Sequence, residues 1–227
     1  MTKLLELKNI SKTFPGVKAL QNVNLDLEAG EVLGLCGENG AGKSTLMKIL
    51  TGIYTADPGG QIWLEGRQVT VGGVAHAREL GLSIIHQELN MVPDLTVAQN
   101  LYLGRPGSHK SGWINDSKLN HEAAKLFERL GMNLDPTARI GDLSVARQQM
   151  VEIARALSYN SRILVMDEPT AALTVGETEA LFGMIRDFVT PSTGLIYISH
   201  RMPEIEEITH RVSVLRDGQY VGTVTTR

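Results

Sequence analysis

One glycine-rich segment constrains the fold of this chain more than any other part of its sequence. Residues 37–44 read Gly-Glu-Asn-Gly-Ala-Gly-Lys-Ser and fit the pattern G-x-x-x-x-G-K-[ST]. A short apolar run at 32–35 precedes the segment, and a helix-like pattern at 45–50 follows it. A strand, a glycine-rich turn and a helix in this order form the context in which the pattern wraps a phosphate. The sequence therefore predicts an α/β fold with a phosphate-binding loop after a buried strand.

The residue types of this loop fit the chemistry of phosphate binding. Glycines let backbone N–H groups wrap phosphate oxygens, and the helix N-terminus adds a partial positive charge. Lys43 can reach the β- and γ-phosphates, and the Ser44 hydroxyl can coordinate Mg²⁺. The alternative is a chance match in a glycine-rich turn, which the strand–turn–helix context disfavours. We predict that the nucleotide is bound by Gly37, Glu38, Asn39, Gly40, Ala41, Gly42, Lys43, Ser44 and Thr45.

A second apolar run ends in two carboxylates. The run spans residues 163–166 and leads directly into Asp167 and Glu168. A buried strand places such residues at the carboxyl edge of the sheet, where α/β proteins bind ligands. We predict that Asp167 holds Mg²⁺, directly or through water, and that Glu168 accepts a proton from an attacking water. Two solvated acids at a strand end are the alternative, which the phosphate loop makes less favoured.

Composition and charge exclude several classes of protein. Of the 227 residues, 42% are hydrophobic and 21% are charged, which is typical of a globular protein rather than a disordered one. The net charge of −3 argues against a nucleic-acid partner. The single cysteine, Cys36, excludes a disulfide scaffold and fits a reducing cytosol. No apolar run approaches the roughly 20 residues that cross a bilayer, so we expect any membrane role to come through a partner.

Hydrophobic periodicity divides the chain into a strand-rich part and a helical part. Strand patterns occur before residue 87 and again after residue 159, whereas amphipathic helix patterns dominate between them. Thr96 with Gln99 forms a capping-box signature, and Ser144 is positioned as a helix N-cap. We therefore predict one domain over 1–227, with an α/β core of residues 1–87 and 159–227 and a helical subdomain of residues 88–158.

In the order of its motifs, the chain resembles the nucleotide-binding domain of an ABC (ATP-binding cassette) transporter over nearly its whole length. Besides the phosphate loop and the Asp167-Glu168 pair, four positions match the family: Phe14, Gln87, the segment Leu143-Ser144-Val145-Ala146-Arg147, and His200. Six motifs in one order make the resemblance specific. It implies a P-loop NTPase core with an antiparallel β subdomain and a helical subdomain inserted in the middle.

The resemblance also implies roles for four further residues. Phe14 would stack on adenine, Gln87 would contact Mg²⁺ or the lytic water, and His200 would sense the γ-phosphate. Ser144 would contact a nucleotide held by a partner cassette. Each has a plainer alternative: Phe14 as a core residue, Gln87 as a polar loop residue, Ser144 as a helix cap, and His200 as a satisfied histidine at a strand end. With Lys43 and Glu168, Gln87 and His200 complete the expected catalytic set. The expected metal ligands are Ser44, Gln87 and Asp167.

Two departures from the family pattern concern the site that a partner would complete. The usual signature is Leu-Ser-Gly-Gly-Gln, but Val145, Ala146 and Arg147 replace its last three residues. Extra Cβ atoms limit how closely this backbone can approach a phosphate. Thr174 stands where many cassettes have Asp.

More narrowly, the segments 14–20, 86–90, 143–157 and 198–202 resemble bacterial monosaccharide importers of the ribose, xylose, arabinose and galactose type. This implies an ATPase that uses ATP and Mg²⁺ to energise sugar import, and the sequence looks like the first of two fused cassettes. The implied partners are a second cassette, fused or separate, integral membrane permease subunits and, indirectly, a periplasmic sugar-binding protein, with no nucleic acid. The implied location is peripheral, at the cytoplasmic face of the bacterial inner membrane.

An apolar segment after Gln87 suggests where a permease docks. Leu89, Met91, Val92, Leu95 and Val97 crowd apolar groups into a segment that would normally be polar. Packing of these residues against the helices of the insert is the alternative.

Three other functions are alternatives to import. A soluble ABC ATPase acting on DNA or ribosomes predicts basic patches or a long coiled-coil insert, and the sequence has neither. A GTPase needs an Asn-Lys-x-Asp motif, which does not occur. A regulatory cassette without hydrolysis stays open because of the altered signature, although Glu168 and His200 argue against it.

Overall fold

A computed structural model describes residues 3–85, 91–104, 115–159 and 161–226. It divides into two compact units. The first comprises Met1–Gln87, Asn160–Pro169 and Leu181–Arg227, and the second comprises Glu88–Tyr159 and Thr170–Ala180. None of the helices in the described part of the chain combines the length and the apolarity that spanning a bilayer requires.

The first unit contains all ten strands of the described residues. These are β1 (Lys3–Phe14), β2 (Val17–Glu28), β3 (Val32–Cys36), β4 (Gln61–Leu64), β5 (Arg67–Val69), β6 (Leu82–Ile85), β7 (Ile163–Asp167), β8 (Gly194–Ile198), β9 (Arg211–Arg216) and β10 (Gln219–Thr225). Its helices are α1 (Lys43–Leu50), α2 (Val74–Glu79) and α7 (Met202–Ile208), and α6 (Val175–Phe188) has residues in both units. The second unit contains α3 (Val97–Tyr102), α4 (Asp116–Arg129), a 3₁₀ turn (Ile140–Asp142) and α5 (Val145–Leu157).

A six-stranded sheet positions the motif residues. Its strand order is β10-β9-β3-β8-β7-β6, and β9, β3, β8, β7 and β6 run parallel to one another. Residues of β3 and β8 are all buried, as continuous apolar runs predict for strands covered on both faces. Because β3, β8 and β7 are neighbours and parallel, the residues that follow them meet at one edge of the sheet. These residues are the glycine-rich loop, His200 and Glu168.

A second, antiparallel sheet has the order β2-β1-β4-β5. Along β2, Val23, Leu25 and Leu27 are buried while Asn24 is exposed, the alternation expected of a strand with one buried face. Leucines of β1 and β2 share one core with Leu33 and Leu35 of β3 and with Leu46 and Leu50 of α1. Helix α1, which follows the glycine-rich loop, thus packs in the same core as strands of both sheets.

Helices α3, α4 and α5 of the second unit each begin at a capping residue, and two of these caps were predicted. Thr96 and Gln99 form a complete capping box at α3, Asn115 caps α4, and Ser144 caps α5. The apolar faces of the three helices form one core, which includes Leu101, Phe127, Ile140 and Val151.

The short helices α2 and α7 have no counterpart among the sequence predictions. Each has only six or seven residues, too few for a helical period to show clearly. Helix α1 begins at Lys43, two residues before the predicted start, because Gly42 with φ 101° serves as its N-cap.

Candidate functional site

The glycine-rich loop follows β3 and leads into α1, as predicted. Two of its glycines are required by close packing. A Cβ atom at Gly37 would lie 2.4 Å from the carbonyl oxygen of Leu215, and one at Gly42 would lie 2.6 Å from Leu20 Cδ2. Gly40 and Gly42 also have φ values of 85° and 101°, which side chains disfavour. The loop conformation is therefore available only to a chain with glycine at these positions.

The Lys43 side chain lies against the loop that precedes it. Its ammonium group donates hydrogen bonds to the carbonyl oxygens of Gly37, at 2.6 Å, and Glu38, at 3.1 Å. The charge is thereby placed inside the loop at the start of α1. Together with the backbone N–H groups of the helix N-terminus, it makes this region attractive to an anion.

An open cleft of about 530 Å³ runs along the loop. Its size is within the range typical of small-ligand sites. Its lining brings together predicted and unpredicted residues: Asn39 to Thr45, Asp167 and Glu168, and also Val17, Lys18, Ala19, Asp217 and Gly218. The two predicted motifs thus share one cavity.

Five of these lining residues were not predicted as site residues. Asp217 and Gly218 form the turn between β9 and β10. Gly218 N donates to Ala41 O at 3.2 Å, which fastens this turn to the glycine-rich loop. An Asp-Gly pair is typical of such a turn, but only the pairing of β9 with β3 places it beside the cleft.

Glu168 adopts an unusual backbone conformation. Its φ is 47°, in the left-handed region, and its N–H donates to Ile198 O at 2.9 Å. Such a conformation costs a non-glycine residue about 1–3 kcal/mol and is found most often at functional sites. The hydrogen bond to β8 holds the residue there and fixes where its side chain begins.

The side chains of Glu168 and His200 are in contact. His200 Nδ1 lies 3.0 Å from Glu168 Oε1. The His200 side chain is 69% exposed and the Glu168 side chain is 19% exposed. They come from the ends of β8 and β7, which are neighbours in the sheet. The structure therefore joins two residues that are 32 positions apart in the sequence.

The donor set of the cleft suits a magnesium ion. The Asp167 carboxylate and the Ser44 hydroxyl carry oxygen atoms that can coordinate a metal, and both residues line the same cavity. Magnesium sites are commonly built from one or two carboxylates together with phosphate oxygens. In the described part of the chain, no group of three or more His, Cys, Asp or Glu side chains forms a metal cage by itself. The protein ligands thus fit an ion that arrives with a phosphate.

Cys36 is not available as a nucleophile. It is buried beneath the glycine-rich loop, with Sγ 3.8 Å from Ser199 O. Burial raises the pKa of its thiol, and the nearby charge of Lys43 opposes this only in part. A thiol that stays protonated is unreactive.

Phe14 does not line the cleft. It ends β1, directly opposite Val17, which does line it. Its ring packs edge-on against Tyr54 at 5.2 Å, and Lys12 Nζ lies 5.4 Å from the ring centroid. The pairing with Val17 places Phe14 beside a residue of the cavity wall. Its stacking on adenine stays a prediction.

Comparison with known proteins identifies the family. A profile of the ABC transporter family matches residues 20–171, more than half of the chain. The chain belongs to the ABC transporter family.

Curated relatives of this ABC family member match almost its whole length. A putative ribose/galactose/methyl galactoside import ATP-binding protein of Albidiferax ferrireducens is 54% identical over 225 residues, covering 99% of this chain and 44% of the relative. A protein of the same name from Geobacillus kaustophilus is 52% identical over 221 residues, covering 97% of this chain and 44% of the relative. The chain thus spans less than half the length of these relatives.

Solved ABC structures share the fold. A crystal structure of the ADP conformation of an ATP-binding cassette of an ABC transporter matches with a TM-score of 0.85 and 27% identity, covering 99% of this chain and 92% of that chain. The α/β P-loop NTPase fold predicted from the motifs is therefore confirmed.

The altered ABC signature lies at the start of α5. Ser144 Oγ accepts a hydrogen bond from Arg147 N at 3.3 Å, so the serine does cap the helix. Val145 follows it with 57% exposure. Contact of Ser144 with a partner's nucleotide is compatible with capping and stays a prediction.

Thr174, which stands at an Asp position of many ABC cassettes, has a local role. Its N–H and hydroxyl both donate to Glu177 Oε2, at 2.9 and 2.8 Å. These two hydrogen bonds, with the charge of Arg147, lower the pKa of Glu177. The threonine thus forms a capping interaction at the start of α6. Gln87, the remaining predicted ABC motif residue, lies outside the described residues.

Proposed function

We propose that this chain binds ATP with Mg²⁺ and hydrolyses the γ-phosphate bond. The observation that carries the proposal is the shared cleft, which is lined by the glycine-rich loop with Lys43, by Asp167 and by Glu168. His200 does not line this cleft, but it contacts Glu168 through Nδ1. An ABC family cassette needs this combination of a phosphate cradle, a metal ligand and a base.

Each residue has a defined task in the proposed reaction. The loop N–H groups and Lys43 hold the β- and γ-phosphates and stabilise the charge that develops on the transferred phosphoryl group. Asp167 and Ser44, with Gln87, would hold Mg²⁺, which supplies further positive charge when bound. Glu168 accepts a proton from the attacking water. In this proposal His200 orients Glu168 through its Nδ1 contact and senses the γ-phosphate.

We further propose that the ATPase energises import of a monosaccharide. The support is the high identity to relatives named as ribose/galactose/methyl galactoside import ATP-binding proteins. In this proposal the chain is an ABC domain with a helical subdomain over residues 88–158. It pairs with a second cassette, whose signature helix completes the nucleotide site, and works at the cytoplasmic face of the membrane with permease subunits and a periplasmic sugar-binding protein.

The proposed permease surface lies in the second unit. Val92 is 40% exposed, while Met91 and Leu95 are half-buried. Val97 is fully buried in the helical core, so the packing alternative is correct for this residue. Leu89 lies outside the described residues.

Asn100 gives this surface a fixed shape. Its side chain accepts from Val92 N at 2.8 Å and donates to Val92 O at 3.0 Å. It also donates to Thr96 O at 3.0 Å. Val92 is thereby held on α3. A surface that transmits movement to a partner needs such a fixed attachment.

The assembled transporter tests the proposal. The protein, with its second cassette and permease, is reconstituted in vesicles, and ATP hydrolysis and sugar uptake are measured together. We expect uptake that requires ATP and stops when Lys43 is replaced. Hydrolysis without uptake of ribose, xylose, arabinose or galactose would favour a soluble ATPase, and binding without hydrolysis would favour a regulatory cassette.

A further inference from the structure

A buried carboxylate holds the segment that carries His200. Glu204, in the first turn of α7, is only 8% exposed. Its Oε2 accepts hydrogen bonds from Tyr197 Oη at 2.9 Å and Ser199 Oγ at 3.1 Å. Its Oε1 accepts one from Arg201 Nη1 at 3.1 Å. One carboxylate thus binds three side chains from a five-residue stretch that surrounds His200.

The hydrogen bonds reach both neighbours of His200. Ser199 and Arg201 each donate to Glu204, and Arg201 N also donates to Ser199 Oγ at 3.0 Å. Because both adjacent residues are fixed, the position of the His200 backbone is fixed with them. The imidazole itself is exposed and has its Nδ1 contact with Glu168. Its placement therefore depends on the backbone rather than on packing around the ring.

The network is anchored in the core. Tyr197 is fully buried in β8, and its ring lies edge-on to Phe182 with centroids 6.2 Å apart. Burying a carboxylate is unfavourable unless it is well hydrogen-bonded, and apolar residues of similar size would stabilise a core at least as well. A buried Glu204 is therefore better explained by the specific geometry that it imposes than by stability.

We propose that Glu204 is a positioning residue that sets the His200–Glu168 contact. The proposal rests on the ATPase function proposed above. Loss of the Glu204 carboxylate frees Ser199 and Arg201, and the His200 imidazole then moves away from Glu168. Because the glycine-rich loop has no contact with this network among the described hydrogen bonds, ATP binding stays intact. We expect turnover to fall roughly ten- to a hundredfold, as for a misplaced catalytic group, with the KM for ATP changed less than about twofold.

The direct readout is the NMR signal of His200 in the ¹³C-histidine-labelled chain. His200→Ala identifies the His200 Cε1–H signal among those of the six histidines. Glu204→Gln keeps the side-chain volume but removes the charge and one acceptor, and Tyr197→Phe removes one donor. The matched control is Glu206→Gln, the same replacement on the exposed part of α7.

The expected result is a His200 signal that moves in Glu204→Gln by about as much as in Glu168→Gln, and less in Tyr197→Phe. Glu206→Gln leaves it unchanged. In the Glu168→Gln background, adding Glu204→Gln has no further effect, because the contact is already lost. Among these variants, those with a larger shift of the His200 signal have a lower turnover in the assembled two-cassette protein. The melting temperature of Glu204→Gln stays near that of the wild type.

Two results overturn the positioning role. One is an unchanged His200 signal and turnover in folded Glu204→Gln. The other is loss of activity that follows only the loss of folded protein. Failure of the underlying function is recognised separately, since wild-type turnover in Glu168→Gln and His200→Ala contradicts the proposed chemistry itself. If Glu204→Gln does not fold, Ser199→Ala and Tyr197→Phe answer the same question.

Discussion

The glycine-rich loop and the start of α5 are both helix N-termini that the ABC resemblance assigns to nucleotide contact, but they are built differently. Glycine is required at Gly37 and Gly42 because Cβ atoms there would overlap neighbouring atoms of the first unit. At α5, Ser144 caps the helix and is followed by Val145, which exposes 57% of its surface where the family has glycine. A phosphate can therefore approach the backbone N–H groups of the glycine-rich loop closely, whereas at the start of α5 it would meet side chains first.

The glycine-rich loop and the α5 terminus, which would form the two halves of a composite nucleotide site, therefore restrict their residue types to different degrees. The loop is fixed by its own contacts and needs no partner to take its shape. The α5 terminus is fixed by a cap, which fits many sequences. We therefore expect changes at the loop to have large effects on ATP binding in this chain alone, and changes at the strand ends to have large effects on hydrolysis in the two-cassette protein. Changes at the α5 terminus should have small effects until a second cassette is present.

The largest expected effect is on hydrolysis. Glu168→Gln keeps ATP and Mg²⁺ binding but lowers turnover by about 10²–10⁴, the usual contribution of a positioned base. Steady-state hydrolysis in the two-cassette protein measures it, with the exposed Glu206→Gln as the control. Turnover within twofold of wild type would remove Glu168 from the mechanism.

The next effect is on ATP affinity. Lys43→Ala removes charge-assisted hydrogen bonds to phosphate, which are worth about 1.5–3 kcal/mol, so affinity falls roughly ten- to a hundredfold. Lys48→Ala, on the same helix but outside the cleft, serves as the control. Calorimetric titration with ATP compares them. Equal affinities for the two variants, with native circular dichroism, would show that Lys43 is not in the phosphate site.

Two glycine-to-alanine replacements distinguish the effect of steric overlap from the effect of helix propensity. Gly42→Ala forces a Cβ against Leu20 and Ala19 and lowers the free energy of unfolding by about 1–3 kcal/mol, with loss of ATP binding. Gly183→Ala lies in the interior of α6, where an added Cβ would meet no atom within 4 Å, and raises the free energy of unfolding by about 0.5–1 kcal/mol. Urea unfolding measures both. A Gly42→Ala variant as stable as wild type would contradict the steric account of the loop.

The smallest expected effect belongs to the α5 terminus. Ser144→Ala loses the cap and about 1 kcal/mol of stability, whereas Ser144→Asp keeps the cap. ATP affinity of the isolated chain stays unchanged in both. In the two-cassette protein, Ser144→Asp lowers turnover because its carboxylate repels a phosphate. Normal turnover of that variant would leave Ser144 as a helix cap only.

Much of the site was visible in the sequence because its chemistry is local. The glycine-rich loop is one continuous segment, and Asp167 and Glu168 directly follow an apolar run. The buried core strands and two of the helix caps followed from apolar runs and single residues. These features depend on residues that are close together in the sequence, so a sequence pattern is enough to predict them.

The rest depends on which strands become neighbours. The contact of His200 with Glu168 requires β8 beside β7, and the turn at Asp217 reaches the cleft only because β9 pairs with β3. The role of Glu204 could not be inferred, because a glutamate in a short helix is typical of an exposed surface. Its burial is a property of the packed structure. Phe14 stacking and the Gln87 contact stay predictions.

The central claim is that the loop binds nucleotide by itself while hydrolysis needs a second cassette. The decisive measurement is the specific ATPase rate of the 227-residue chain across protein concentrations, with ATP affinity measured in parallel. We predict concentration-independent ATP affinity and a slow specific rate that rises as the chains are made to associate. Brisk turnover that does not change with protein concentration at low micromolar levels would contradict the composite site.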